Sequence, residues 1–125
     1  MMTVAGIAVA GALGAVARYG LDSWIGRHQA GTFPWGTFAV NISGAFALGV
    51  LFELFTARID VASPVRIGLT TGFLGAYTTF STLSLETVRL IQHGAYVVAV
   101  ANSLGSLVLG LLAAWAGMAA GRALA

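Results

Sequence analysis

The chain has 125 residues, 58% hydrophobic and only 8% charged, and its formal net charge of +2 is the balance of six arginines against four acids. Its mean hydropathy is +0.91, whereas a soluble domain carries about 25% charged residues, and arginines scattered singly along an apolar chain make no nucleic-acid-binding face. With no cysteine in the sequence there is neither a disulfide framework nor a thiolate site. An integral membrane protein is expected. About 20 helical residues cross a bilayer core of about 30 Å, so four spans with short loops fill residues 1–125 as one all-α transmembrane domain.

The N-terminal stretch lacks the basic region that begins a signal peptide and reads as a first span over about residues 3–24. Its Gly6, Gly11, Gly14 and Gly20 allow another helix to approach closely. Arg18, near the end of this span, has two readings: it snorkels to the headgroups, or it forms an electropositive vestibule that draws anions toward a pore. Asp22 and Arg27 mark the interface, and His28 belongs to a solvated loop. Phe33-Pro34-Trp35 supplies an aromatic anchor and a proline suited to a helix start, opening a second span over about 35–56. There Asn41 is a lone amide; it either hydrogen-bonds a neighbouring helix or donates its NH₂ to a solute, which amides can do without a fixed charge. Glu53 is expected to pair with Arg58 at the far interface.

The third span, about 65–91, is unlike an ordinary lipid-facing helix, because it holds Thr70, Thr71, Thr78, Thr79, Ser81, Thr82, Ser84, Glu86 and Thr87. An unpaired hydroxyl in hydrocarbon costs roughly 1–3 kcal/mol, so this segment must face protein, water or a passing solute. Gly68, Gly72 and Gly75 lead into Ala76-Tyr77-Thr78-Thr79, a poor helix interior that predicts a break with free carbonyls near the span's centre. Helical spacing then sets Thr78, Thr82 and Glu86 on one face, with Arg89 a turn beyond and Phe80 and Leu83 on a neighbouring stripe. A tight loop with a solvated His93 leads to a fourth span, about 95–120, carrying Asn102, Ser103 and Ser106 early and a small-residue packing face from Gly117 to Gly121.

Four spans put Arg58, Arg66 and Arg122 on one side and Arg18, Arg27 and Arg89 on the other. That even split leaves the positive-inside rule without a bias and predicts insertion both ways up. Four thin helices cannot enclose a hydrated path alone. The expectation is therefore an antiparallel, dual-topology homodimer in the cell membrane.

Four motifs in order, GALGAVARYG, GTFAVNISGAFALG, GFLGAYTTFSTLSLE and NSLGSLVLG, closely resemble the Fluc/CrcB family of fluoride ion channels over nearly the whole chain. The resemblance implies passive fluoride export by an antiparallel homodimer with two pores and a structural sodium ion on the dimer axis, held by main-chain carbonyls that match Gly75 and Thr78. It implies pore roles for Asn41, Phe80, Ser81, Thr82, Glu86 and Ser106, with Asn102 at a position that is polar in relatives. One departure stands out: the family pattern TTFSTFS carries a second phenylalanine where this chain has Leu83. Leucine has no polarised ring edge and can offer only an apolar wall.

Two rival readings are weaker. A small dual-topology proton-coupled multidrug transporter resembles a different pattern, with an essential carboxylate in span one, where this chain has only Asp22 at the edge. An intramembrane enzyme needs a nucleophile and a base within reach, and both histidines fall in loops. The expected protein is not an enzyme.

Overall fold

The computed structural model describes residues 1–57 and 60–124, and these are helical without any strand. The helices are α1 (Met2–His28), α2 (Trp35–Ala57), α3 (Ser63–Ile67), a π-helical stretch (Gly68–Leu74), α4 (Gly75–Tyr77), α5 (Phe80–Gln92) and α6 (Tyr96–Leu124). Among the described residues three helices are long and apolar enough to cross a membrane: Met2–His28, Trp35–Thr56 and Tyr96–Leu124. The segment from α3 to α5 falls in two halves, because Thr78 (φ −81°, ψ 157°) and Thr79 (φ −151°, ψ 113°) are extended.

The break falls within Ala76-Tyr77-Thr78-Thr79, the poor helix interior of the sequence, and Gly68, Gly72 and Gly75 lie in the helical half before it. The threonines make the break. Thr78 turns its hydroxyl back onto the Leu74 carbonyl at 3.0 Å, and the Thr79 hydroxyl accepts the Thr82 amide at 3.2 Å, a side-chain N-cap that starts a new helix. One expectation fails as a result. Thr78 lies outside α5, so the shared face runs through Thr82 and Glu86 only.

Small residues set the packing. α2 lies against both α1 and α6, α1 covers the first half of the broken segment, and α5 leans on α6. A Cβ at Gly14 would run into the Phe73 carbonyl, one at Gly49 into the Ala114 carbonyl, and one at Gly117 into the Phe46 carbonyl. Gly121 faces the Cβ of Glu53, so the small-residue face at the end of α6 is the one that meets α2. Among the described residues the buried apolar core is correspondingly small, with Val40, Leu74 and Ala99, while leucines, valines and tryptophans point outward all around. Glu53 pairs with Arg122 at 3.6 Å; the expected partner Arg58 lies outside the described residues.

Replacing Gly117 by valine should force α2 and α6 apart. Overpacking of this kind costs about 1–3 kcal/mol, so thermal unfolding in detergent should come at a clearly lower temperature than for Gly20→Val, a position with nothing near its Cα hydrogens. Equal melting of the two variants would refute this packing.

Candidate functional site

The two extended residues leave peptide groups without helical partners, which at membrane depth is tolerable only if other groups take them. Asn41 takes two. Its Oδ1 accepts the Thr79 N–H at 2.8 Å and its Nδ2 donates to the Thr79 carbonyl at 3.1 Å. Of its two readings, the bond to a neighbouring segment is thus present, and the second amide proton is left over.

Arg18 takes a third. Its Nε donates to the Ala76 carbonyl at 3.1 Å, where the first half-helix ends and a cation suits the helix dipole. Read from sequence as a snorkelling or vestibule residue, it reaches the break itself. The helical donors of two further carbonyls are diverted: the Thr79 N–H that would serve Gly75 goes to Asn41, and the Thr82 N–H that would serve Thr78 goes to the Thr79 hydroxyl. Hard oxygens of this kind are the donors a hard cation takes, and among the described residues no cluster of three His, Cys, Asp or Glu side chains offers an alternative metal site.

A groove of about 700 Å³ opens on one side of the break, lined by Asn41, Phe80, Leu83, Ser103 and Ser106 among others. A smaller one of about 290 Å³ borders Asn41, Gly75 and Thr78. Asn41 and Thr78 line both grooves. Phe80 is 81% exposed, a ring presented outward at the first position of α5. Ser106 is buried and its Oγ has no partner.

The other candidates divide. Thr82 and Ser81 both lie within reach of the Thr79 hydroxyl, at 3.0 and 3.5 Å. Asn102 is fully buried and donates at 3.0 Å to the hydroxyl of Thr87, a residue of the groove wall, with its Oδ1 unpaired. Glu86 lines a separate groove of about 380 Å³ with Arg89, His93 and Thr32, and one of its oxygens is buried without a partner.

Thr37 was missed as a site residue. It is 3% exposed and its hydroxyl faces the Glu86 carboxyl. Its spacing of four from Asn41, which puts the two on one face of α2, was the available signal. Thr87 and Ser103, also on the groove, carry hydroxyls that donate to their own helices at 2.8 and 3.0 Å.

Comparison with known proteins extends along the same length. The family profile described as CrcB-like protein, camphor resistance (CrcB), matches residues 5–118. A protein of Geotalea uraniireducens named fluoride-specific ion channel FluC is 50% identical over 125 residues, covering 99% of this chain and 100% of its own. One of the same name from Magnetococcus marinus is 47% identical over 125 residues, covering 97% and 98%. Another from Acidobacterium capsulatum is 46% identical over 115 residues, covering 92% of each. With a profile that spans nearly the whole chain and relatives about half identical from end to end, the chain is a multi-pass membrane protein of the CrcB family.

Proposed function

We propose that the protein is a passive, fluoride-selective ion channel that exports fluoride and so protects the cell from its toxicity. The observation that carries this reading is the end-to-end likeness to relatives named fluoride-specific ion channels. Hydrogen fluoride enters acidified cells as a neutral molecule and dissociates inside. With the membrane negative inside, an anion leak is sufficient to clear it. No chemical step is catalysed, and the multidrug-transporter alternative finds no support in the relatives' names.

The ion's path is assigned to Asn41, Phe80, Ser81, Thr82, Leu83, Asn102 and Ser106, with Glu86 toward one end. Fluoride gives up strongly held water only where donors replace it. The spare Asn41 proton, the unpaired Ser106 hydroxyl and the hydroxyls around Thr79 are such donors, and the outward Phe80 ring adds a positively polarised edge. Leu83 supplies a dry wall.

Four spans are proposed, the third being the broken segment, in an antiparallel dual-topology homodimer in the cell membrane. The exposed Phe80 and the open groove beside it are surfaces that a second copy would cover. Gly75 and Thr78 would hold a structural sodium ion through their carbonyls, which fit it by hardness and because their usual helical donors are turned to Asn41 and to the Thr79 hydroxyl. Bound there, the ion would supply the positive charge that keeps these carbonyl dipoles together.

Purified protein in liposomes should release fluoride far faster than chloride; equal rates, or no fluoride release, would overturn the reading. At matched protein density Leu83→Phe should keep or raise the flux, Leu83→Ala should change it modestly, and Phe80→Leu and Asn41→Asp should each lower it about tenfold or more, the equivalent of about 1.4 kcal/mol in the barrier. Asn41→Asp removes the amide donors and places a carboxylate against the Thr79 carbonyl, so it should be the more harmful.

Dual topology has its own test. Lysines placed at Val61 and Ala62 should bias insertion one way and reduce flux, and co-expression with an oppositely biased copy should restore it. Full activity from a one-way population would exclude the antiparallel dimer.

A further inference from the structure

Asn41 is not the only hold that α2 has on the helix break. Ser43 takes a second, through Tyr77, the last residue of α4. The two hydroxyls lie 2.9 Å apart, and the Ser43 proton is donated to the Val40 carbonyl at 3.1 Å, so the proton between them belongs to Tyr77. A phenol at membrane depth needs such an acceptor, since hydrocarbon supplies none. At about 100° per residue, Asn41 and Ser43 stand about 160° apart around α2, with Val40 and Gly44 on the arc between them. Both of those are buried. What covers Gly44 is the break itself: a Cβ there would run into the Thr78 methyl and come within 3.2 Å of the Tyr77 ring. The break therefore straddles α2, with the Thr79 peptide groups held on one flank and the Tyr77 hydroxyl on the other. From behind, the ring is stacked on Phe73, with centroids 6.0 Å apart and planes 17° apart, and the Phe73 main chain closes on Gly14 of α1.

One hold leaves a freedom that two remove. The amide pair fixes the distance between Asn41 and Thr79, but with that pair alone the break would be free to roll over the flat surface at Gly44. The Tyr77 hydroxyl stops that rotation. We propose that Tyr77 is a positioning residue for the anion path: anchored on Ser43, it sets the direction in which Asn41 presents its spare amide proton, and with it the preference for fluoride over chloride. The proposal rests on the fluoride-channel reading and adds to it a determinant of selectivity. Tyr77 lines neither of the grooves that border Asn41, so it acts through Asn41 and touches no ion. Fluoride is the smaller ion and holds its water more strongly, so it crosses only where donors stand at fixed places to replace that water. Chloride gives up water more easily. A break that rolls on α2 lets the donors drift, which penalises fluoride and admits the larger ion.

Selectivity is read from the reversal potential across a planar bilayer with fluoride on one side and chloride on the other, a ratio independent of how much protein folds and inserts. Tyr77→Phe, which removes one oxygen and keeps the ring, should raise chloride permeability relative to fluoride about fivefold, the factor that one neutral hydrogen bond is worth. Ser43→Ala should raise it to a similar degree, and the double variant no further than either single. Ser43→Thr, which keeps a hydroxyl, should hold the wild-type ratio, as should Tyr19→Phe at a tyrosine 75% exposed. If the hydroxyl pair only braced the fold, both single variants would melt at lower temperature with the reversal potential unmoved. That result would overturn the proposal, as would a shift in one single alone or additive shifts in the double. Absence of fluoride current from the wild-type protein, or a wild-type potential without preference for fluoride, would instead remove the reading beneath it.

Discussion

The bidentate pairing of the Asn41 amide with the Thr79 peptide groups is the interaction on which the remainder of the structure depends. Two extended residues inside an apolar bundle orphan several backbone donors and acceptors, each with a cost of several kcal/mol in a bilayer. Asn41 meets two of those demands with one side chain, and Arg18 a third. Only then can one segment send its first half against α1 and its second half against α6. A continuous helix would have no reason to present a fresh N-terminus, with Phe80 at its tip, at mid-depth. The long-range side chains that support the break belong to two other helices, so tertiary contacts secure what the local threonines begin.

Close packing by glycine makes this arrangement possible. With Gly14, Gly49 and Gly117 each pressed to a carbonyl of another helix, the backbones approach without interposed side chains, and association relies on contact and dipole interactions in place of a hydrophobic core. Large apolar residues are thereby free to face lipid. A bundle so thin buries little, and what it does bury is polar as often as apolar: Thr37, Asn102 and Ser106 beside Val40, Leu74 and Ala99. In a soluble protein that ratio would be a defect. In a bilayer, where polar side chains have no water to retreat to, it marks the helix faces that must meet protein or solute.

Much of this was legible in the sequence. Hydropathy and length gave helices whose ends fall within a few residues of those observed, and hydroxyl density singled out the segment that is broken. Some contacts were not legible. The pairing of Glu53 with Arg122 joins residues far apart in the chain, beyond the reach of a local rule. Arg18 looked like an interfacial residue because its distance from the end of the span was visible and the break it would meet was not. Thr37 hid in an anchor motif that already had an explanation. In each case the deciding contact is long-range.

The hydroxyl inventory bears on how an anion could pass without being trapped. Thr70, Thr78, Ser84, Thr87 and Ser103 each donate to the backbone carbonyl four residues earlier, at 2.8 to 3.0 Å. Such a bond is worth only about 1 kcal/mol net, so a hydroxyl beside a path can swing from carbonyl to ion and back at small cost. A row of permanently free donors would bind the ion more deeply and hold it. Conduction needs entry to be favourable and departure to be easy, and donors that are satisfied at rest flatten the profile from both directions. Ser106, buried with no partner, departs from this pattern. On the proposed reading it is the one donor already waiting on the groove, with Asn41 adding a spare proton while its other groups hold the break. The same amide then fixes the backbone and meets the ion, which couples the shape of the path to its chemistry.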